Sequence, residues 1–549
     1  MVHRPMLLSI LVGCGAPEAD VPVASHTLLN LTLQVPLPEE AEAPDPERPQ
    51  EPVAACELHH DLLSPHLWEG DELSFRVWCG GRVNADDYHL DVLLPAAEDA
   101  LFDPEGHFSW RTTGRDGGHH RLTLTATPAG GGTTESAVVD VWLADNPAAI
   151  EAVPPDPLHY EEEWGLPVVH ITHGAELTEE DQPATFTVRG EKVTGEVKLR
   201  GATSLAYPKN SFTLDFDSDE LSVDEWGARS RGHMVLTSTF DDNSYVRQKL
   251  TFDVWSEMAA RTDERRLAPR TFFAVVYRNG VYEGLYVATD RVDDELARHM
   301  DFGGEGDLYK AIDHDANYDL YDSDGEPKTD LAAGWEKKEG IDEADLTGVR
   351  ALTEWAGTTK GGDFSAEADQ WLQLESFLDW QLIGMAGHLE DSVGKNAYIY
   401  RMEETGRYSV MPWDFNASWG QNWKTKRRDP DSLRDHTEDN RIFLLVEDDP
   451  TTCAALMARY HALRADGGPL DPAWQLARIA DYEAIIRDAA LRDEARWGDE
   501  YRSFWRWADD RDAYDNWTDF PGELAYVRAW IPERALAMQT WVETRCPEG

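Results

Sequence analysis

The sequence predicts a multidomain chain, with an all-β sandwich followed by a larger α+β domain of two lobes. Three observations carry this. The chain has 549 residues, too many for one hydrophobic core, so it must divide. Between Cys56 and about Pro147 apolar residues alternate in short runs broken by Gly, Asp and Pro, the pattern of half-buried strands. From about residue 160 to 320 strand-type runs continue, and from about residue 340 apolar residues recur at helical spacing instead.

The N-terminus reads as an export signal. His3 and Arg4 precede the apolar run Met6 to Cys14, too short to span a bilayer. Leu11-Val-Gly-Cys14 resembles a bacterial lipobox. The expectation is a signal peptide over 1–14, with lipidated Cys14 holding an extracytoplasmic chain on the membrane surface of the cell envelope, or else a secreted one. Residues 15–54, rich in Pro, Glu, Asp and Ala, cannot bury a core and read as a disordered tether. Once Cys14 is set aside, Cys56, Cys79, Cys453 and Cys546 remain. Proximity favours the disulfides Cys56–Cys79 and Cys453–Cys546, which an exported chain permits.

The sandwich is assigned to 55–148. Its strands include Leu73-Ser-Phe-Arg-Val-Trp78 and Arg121-Leu-Thr-Leu-Thr-Ala126. Phe108-Ser-Trp110 and Asp116-Gly-Gly118 resemble the later strands of immunoglobulin-like bacterial surface domains, which implies a spacer. Pro154-Pro-Asp-Pro157 marks the next boundary, and residues 155–549 form the second domain, with a strand-rich N-lobe over about 160–330 and a helical C-lobe over about 340–549. Asn279-Gly280 between two apolar runs predicts a hairpin. Helices are expected over 244–261, 371–388, 451–464, 473–493 and 521–543.

Charge narrows the partners. Lys+Arg number 50 against Asp+Glu 104, a net charge of -54. Such a surface repels nucleic acid and anionic membranes and suits cations or basic partners. The acidic loop Asp313 to Glu326 lacks the Gly and Glu positions of an EF-hand, so structural calcium there is a looser possibility. His170 and His173 fall on opposite faces of a strand and do not share an ion.

Asp391 and Asn396 are five positions apart, and Asp414-Phe415 follows eighteen residues after Asn396. An Asp-x-x-x-x-Asn followed by Asp-Phe is how protein kinases hold a catalytic base and two magnesium ligands. Upstream, a strand ends at Arg200 and a small-residue loop with Gly201 and Ser204 follows, with Lys209 beyond it. Backbone N–H groups of such a loop and a nearby lysine suit phosphate oxygens.

Together these segments resemble the spore-coat protein H (CotH) kinases. The resemblance rests on Arg200-Gly-x-x-Ser204 with Pro208-Lys209, Asp241-x-x-Ser-x-x-Arg247, Asn279-Gly-x-x-x-Gly-Leu-Tyr286, Leu308-Tyr-Lys310, the Asp391–Tyr400 segment and Pro412-Trp-Asp-Phe-Asn-x-Ser-Trp-Gly420. It implies an atypical protein-kinase-like domain, monomeric, that uses ATP with Mg2+ or Mn2+ to phosphorylate Ser or Thr of a protein substrate. Asp391 would orient the hydroxyl and accept its proton, and Asn396 and Asp414 would hold the metal. Lys209 first, Lys310 second, and Gly201 and Ser204 would contact nucleotide phosphates. Arg247 would pair with a phosphate or with an acidic structural partner. Three positions depart from the family pattern: Asn416 stands where a second Asp is usual, Asp290 where Glu is usual, and His388 lies three residues before Asp391 instead of two. These departures support an alternative, a catalytically weak or inactive surface scaffold.

Overall fold

The computed structural model describes residues 55–80, 88–94, 99–217, 221–227, 230–302, 306–342, 344–508 and 519–545. The expected signal peptide, Cys14, the tether and Cys546 lie outside the described residues.

The first layer pair is a β-sandwich. Its strands are β1 (Glu57–His60), β2 (His66–Trp68), β3 (Glu72–Gly80), β4 (Tyr88–Leu93), β5 (Leu101–Phe102), β6 (His107–Arg111), β7 (Gly118–Pro128) and β8 (Glu135–Ala144). They form two four-stranded sheets, β1-β3-β6-β5 and β2-β8-β7-β4. Alternation does the work: Leu73, Phe75 and Val77 of β3 are buried while their neighbours are exposed. They meet Phe108 and Trp110 of the same sheet and Leu122, Leu124, Val141 and Leu143 of the other. The Cys56–Cys79 disulfide is present. It joins the edges of β1 and β3, which are neighbours in one sheet, whereas the antibody-type bond spans the two sheets.

The strand-rich part of the second domain is a closed barrel. Its strands are β9 (Glu162–Glu163), β10 (Leu166–His173), β11 (Gln182–Val188), β12 (Glu191–Arg200), β13 (Ser211–Phe216), β14 (His233–Thr237), β15 (Thr271–Arg278) and β16 (Val281–Thr289). The order is β11-β12-β13-β14-β16-β15-β10-β9, and β10 also pairs with β11. That extra pairing closes seven strands on themselves, with β9 as an appendage, and removes the free edges an open sheet would have. Phe186, Val197, Phe212, Leu214, Met234, Leu236 and Tyr286 fill the barrel. Asn279 and Gly280 turn β15 into β16 with φ of 51° and 78°, the left-handed pair that a two-residue hairpin requires.

A second, four-stranded sheet joins β17 (Asp307–Ala311) and β18 (Trp335–Glu339) to β19 (Ala397–Arg401) and β20 (Tyr408–Pro412), ordered β18-β17-β19-β20, and its last two strands lie in the region expected to be helical. Around it lie α1 (Arg247–Ala259), α2 (Asp294–His299), α3 (Thr347–Thr358), α4 (Phe364–Trp371), α5 (Leu374–Gly387), α6 (Arg441–Asp448), α7 (Pro450–Arg464), α8 (Pro472–Ser503), α9 (Trp505–Ala508) and α10 (Phe520–Arg545). Helix α5 is buried at every position from Ser376 to Gly387, so it is the central post of this half. Helices α7 and α8 each start on an aspartate cap, Asp449 and Asp471, followed by proline, a strong start signal. Among the described residues no helix is long and apolar enough to cross a membrane.

The sandwich is packed against the barrel and α8. Arg492 of α8 donates to Glu163 Oε2 (2.6 Å), to the Tyr277 hydroxyl (2.9 Å) and to the Asp145 carbonyl (2.7 Å). Its guanidinium lies 3.9 Å from the Tyr282 ring centroid. Trp68 of the sandwich meets Trp164 edge-on at 4.9 Å, and His66 pairs with Asp488 of α8.

Candidate active site

The site begins with a register. Ala311 pairs with Ala397, and Ala397 with Pro412, so the ends of β17, β19 and β20 lie side by side. Lys310 pairs with Tyr398 at the same end. One step beyond the hairpin, Asn396 donates its N–H to the Ala311 carbonyl (2.9 Å) and accepts from the Trp413 N–H (2.7 Å). Hairpin pairing thus brings Asn396 and Asp414 together although eighteen positions separate them. Both residues have positive φ, 51° and 69°, a conformation that Asn and Asp tolerate better than other side chains.

Asp391 arrives from the other side. Helix α5 ends at His388, whose φ is 54°, and the chain turns into the loop that carries Asp391. The Asn396 amide nitrogen donates to the Asp391 carbonyl (2.9 Å) and to Asp391 Oδ2 (3.1 Å). This turns the Asn396 amide oxygen away from Asp391, as a free acceptor. Lys395 Nζ holds Asp391 Oδ1 at 3.0 Å. Burial and the Asp391 charge push the Asp414 carboxyl up, against the pull of Arg200, Lys310 and Lys395.

Arg200, at the end of barrel strand β12, places its guanidinium 5.6 Å from the Trp413 ring centroid, and the Lys310 ammonium lies 5.6 Å from that of Tyr398. Burial lowers the pKa of both cations, and Asp414 opposes it. Neither side chain forms a hydrogen bond or ion pair within the described residues. Two half-buried cations therefore lie within electrostatic reach of Asp414.

A third carboxylate stands nearby. Asp241 Oδ2 accepts from the Asn416 amide and from the Tyr207 hydroxyl (3.0 Å). Burial pushes its pKa up to about 6, helped by the charges of Asp414 and Asp242 and opposed by those two hydrogen bonds. Asn416, in place of the usual second acid, is thus occupied in holding Asp241 beside Asp414. Arg200, Lys395 and Asp241 were not singled out from the sequence as site residues. Arg200 and Asp241 lie in quoted motifs, and Lys395 sits inside the Asp-x-x-x-x-Asn, so each had a signal.

Other expected residues are placed elsewhere. Lys209 has no exposed surface, and its ammonium donates to the Leu285 carbonyl (2.6 Å) and Asp493 Oδ1 (2.8 Å). In this structure it stands as a structural cation, because its ammonium is buried and both of its contacts are internal. Arg247 takes the acidic structural partners, Asp242 and Glu523, and donates to the Ser418 carbonyl at 3.0 Å. Asp290 pairs with Arg231 at 2.6 Å, not with a lysine. Gly201 follows Arg200 directly, with φ of 127°, and a Cβ there would fall 2.0 Å from Ser204 Oγ. Glycine therefore lets the turn at Thr203–Ala206 fold back against the strand end. In the acidic loop, Lys328 Nζ donates to Asn317 Oδ1 at 2.7 Å, and Asp315 and Asp322 cap the loop's own backbone, so internal donors meet much of its negative charge.

The oxygen donors suit a hard divalent cation: the Asp414 carboxylate and the free Asn396 amide oxygen, with Asp391 adjacent. Comparison with known proteins covers the same stretch of chain. The family model described as "CotH kinase protein" matches residues 197–538, a span that includes Arg200, Lys310, Asp391, Asn396 and Asp414. The inner spore coat protein H of Bacillus subtilis (strain 168) is 29% identical over 253 residues, or 46% of this chain and 66% of that protein. The match therefore spans just under two thirds of that relative. With the family model covering more than half of its length, the chain belongs to the CotH kinase protein family.

Proposed function

We propose that this protein transfers the γ-phosphoryl group of ATP to a Ser or Thr hydroxyl of a protein substrate. The observation that carries the reading is the Asn396 amide bonded to Asp391 beside Asp414, under two cations, Arg200 and Lys310, that rest near aromatic rings and have no hydrogen-bond or ion-pair partner among the described residues. Asp391 Oδ2 orients the acceptor hydroxyl and takes its proton as the oxygen attacks phosphorus and the bond to ADP breaks. Arg200 and Lys310 meet the phosphate oxygens, Arg200 through its planar fork. Asp414 and the Asn396 oxygen would hold Mg2+ or Mn2+, which supplies charge neutralisation on the phosphates. A net charge of -54 favours a basic acceptor protein.

Incorporation of γ-labelled phosphate into the purified protein and into histone, with Mg2+ or Mn2+, tests this. Asp391→Asn and Asp414→Asn should each reduce transfer at least ~100-fold while melting like the wild type. Equal transfer by both variants would sink the reading. Asn416 and the locked Lys209 favour the competing scaffold reading. ATP with magnesium should raise the melting temperature of a kinase and leave a scaffold unmoved.

For location we propose export to the cell surface, with Cys14 as a lipid anchor. The Cys56–Cys79 bond suits an oxidising compartment, and the Bacillus relative is by name an inner spore coat protein. Labelled-lipid incorporation lost in Cys14→Ser checks the anchor.

A further inference from the structure

Away from Asp391 and Asp414, a second polar cluster has the chemistry of a metal centre. His233 at the start of β14, Asp293 at the cap of α2 and Glu295 in its first turn offer ligand atoms that all lie within 4.8 Å of one another. Asp293 is 3% exposed, and its Oδ1 caps α2 by accepting from the Leu296 N–H at 3.0 Å. Its other oxygen, Oδ2, is buried with no hydrogen-bond partner. The nearest cationic atoms are Arg291 Nε at 3.7 Å and His233 Nε2 at 3.8 Å, both beyond hydrogen-bonding reach. A buried carboxylate oxygen left in this way is costly unless something else binds it.

The surroundings are built as a ligand's supporting shell. His233 Nδ1 bonds Asp215 Oδ1 at 2.6 Å, which fixes the ring and turns Nε2 toward Asp293. A carboxylate behind the imidazole is how metal-binding histidines are oriented and made more basic. Both Glu295 oxygens are steadied at 3.0 Å by the Gly232 N–H. Charge points the same way. Asp215 and Asp293 share one guanidinium, Arg291, and Glu295 has His299 at 3.9 Å, so the three carboxylates and Arg291 carry two net negative charges when His233 and His299 are neutral. The adjacent Arg231 is already matched by Asp290. A divalent ion balances the cluster, and donor atoms around a tetrahedral ion at ~2.1 Å stand roughly 3.4 Å apart, so binding draws His233 and Asp293 in from 3.8 Å and the rest of the cluster in from within 4.8 Å.

We infer that His233 Nε2, Asp293 Oδ2 and Glu295 bind a divalent transition ion of the zinc class, with Asp215 as the support of the histidine. One imidazole with two carboxylates selects such an ion over calcium or magnesium, which prefer all-oxygen ligands. The centre ties β14 to α2.

The test uses the full chain, stripped with chelator, dialysed and titrated with Zn2+, with bound metal counted by mass spectrometry and Co2+ absorption as a second probe. Wild type and Asp414→Asn should each hold one zinc, and Co2+ should give the visible bands of a low-symmetry site. Asp293→Asn keeps the helix cap, because Asn caps as well as Asp, and should weaken zinc binding about 100-fold or more. Glu295→Gln should do likewise, and His233→Gln should also abolish the cobalt bands. Absence of stoichiometric zinc in the wild type, or wild-type affinity in Asp293→Asn and Glu295→Gln, would overturn the assignment. Loss of zinc in Asp414→Asn alone would assign the metal to the kinase-type site and refute this one.

Discussion

Lys209 Nζ lies 2.8 Å from Asp493 Oδ1, and the two side chains are 0% and 3% exposed. Burial works against both charges, lowering the lysine pKa and raising that of the aspartate, so each depends on the other. Removing one partner strands a buried charge, at a cost of about 3–5 kcal/mol. Asp493→Ala should therefore lower the urea midpoint sharply. Lys209→Met with Asp493→Leu should recover much of that loss. If Lys209→Met alone left stability unchanged and reduced ATP affinity, the structural role assigned to Lys209 would fail.

Arg200 and Lys310 should control nucleotide affinity without holding the fold. Charged hydrogen bonds contribute about 1.5–3 kcal/mol, so Arg200→Met and Lys310→Met should each weaken ATP binding by roughly 10- to 150-fold with little change in melting temperature. Arg200→Lys should rescue only part of the loss, because one ammonium does not replace a bidentate fork. Calorimetric titration with ATP analogues measures both.

Asp241 should leave a pH signature in metal-free protein. Its folded pKa, about 6, lies above the ordinary carboxylate value of 3.8, so the native state holds this proton more tightly than the unfolded chain. Its contribution to stability therefore falls as pH rises from about 4 through about 6, and the penalty is complete above that. The span corresponds to a penalty on the order of 3 kcal/mol. The stability of Asp241→Asn relative to wild type should rise from pH 4 to 7. A difference that stays flat across that range contradicts the shift.

Arg492 should be irreplaceable even by lysine. It bonds Glu163, Tyr277 and Asp145 at once, a geometry that only a planar guanidinium serves. Arg492→Lys should cost a few kcal/mol and expose the segment between the sandwich and β9 to protease. Limited proteolysis with mass spectrometry reads the cut site.

The central triad was legible because its geometry is local. Five positions separate Asp391 from Asn396, and one hairpin, β19–β20, returns the chain to Asp414. The barrel was not legible, since its closure depends on β10 pairing with β11 on one edge and in parallel with β15 on the other. Lys209 went astray for the same reason: its partner lies 284 positions away, and no spacing rule reports such a contact. Asp241 is brought to the site by Asn416, 175 positions on, so a substitution that reads as a lost ligand proves to be a brace. The four-stranded sheet was hidden because its strands, five residues each, are scattered among much longer helices.

Arg492 and Asp493 are adjacent on α8, yet one grips the sandwich and the other grips Lys209. A force that tilts the sandwich thus reaches, through two adjacent residues of one helix, the lysine that stands two positions before β13. Whatever the sandwich touches on the outside, its load falls on the helix that also anchors Lys209 and strand β16.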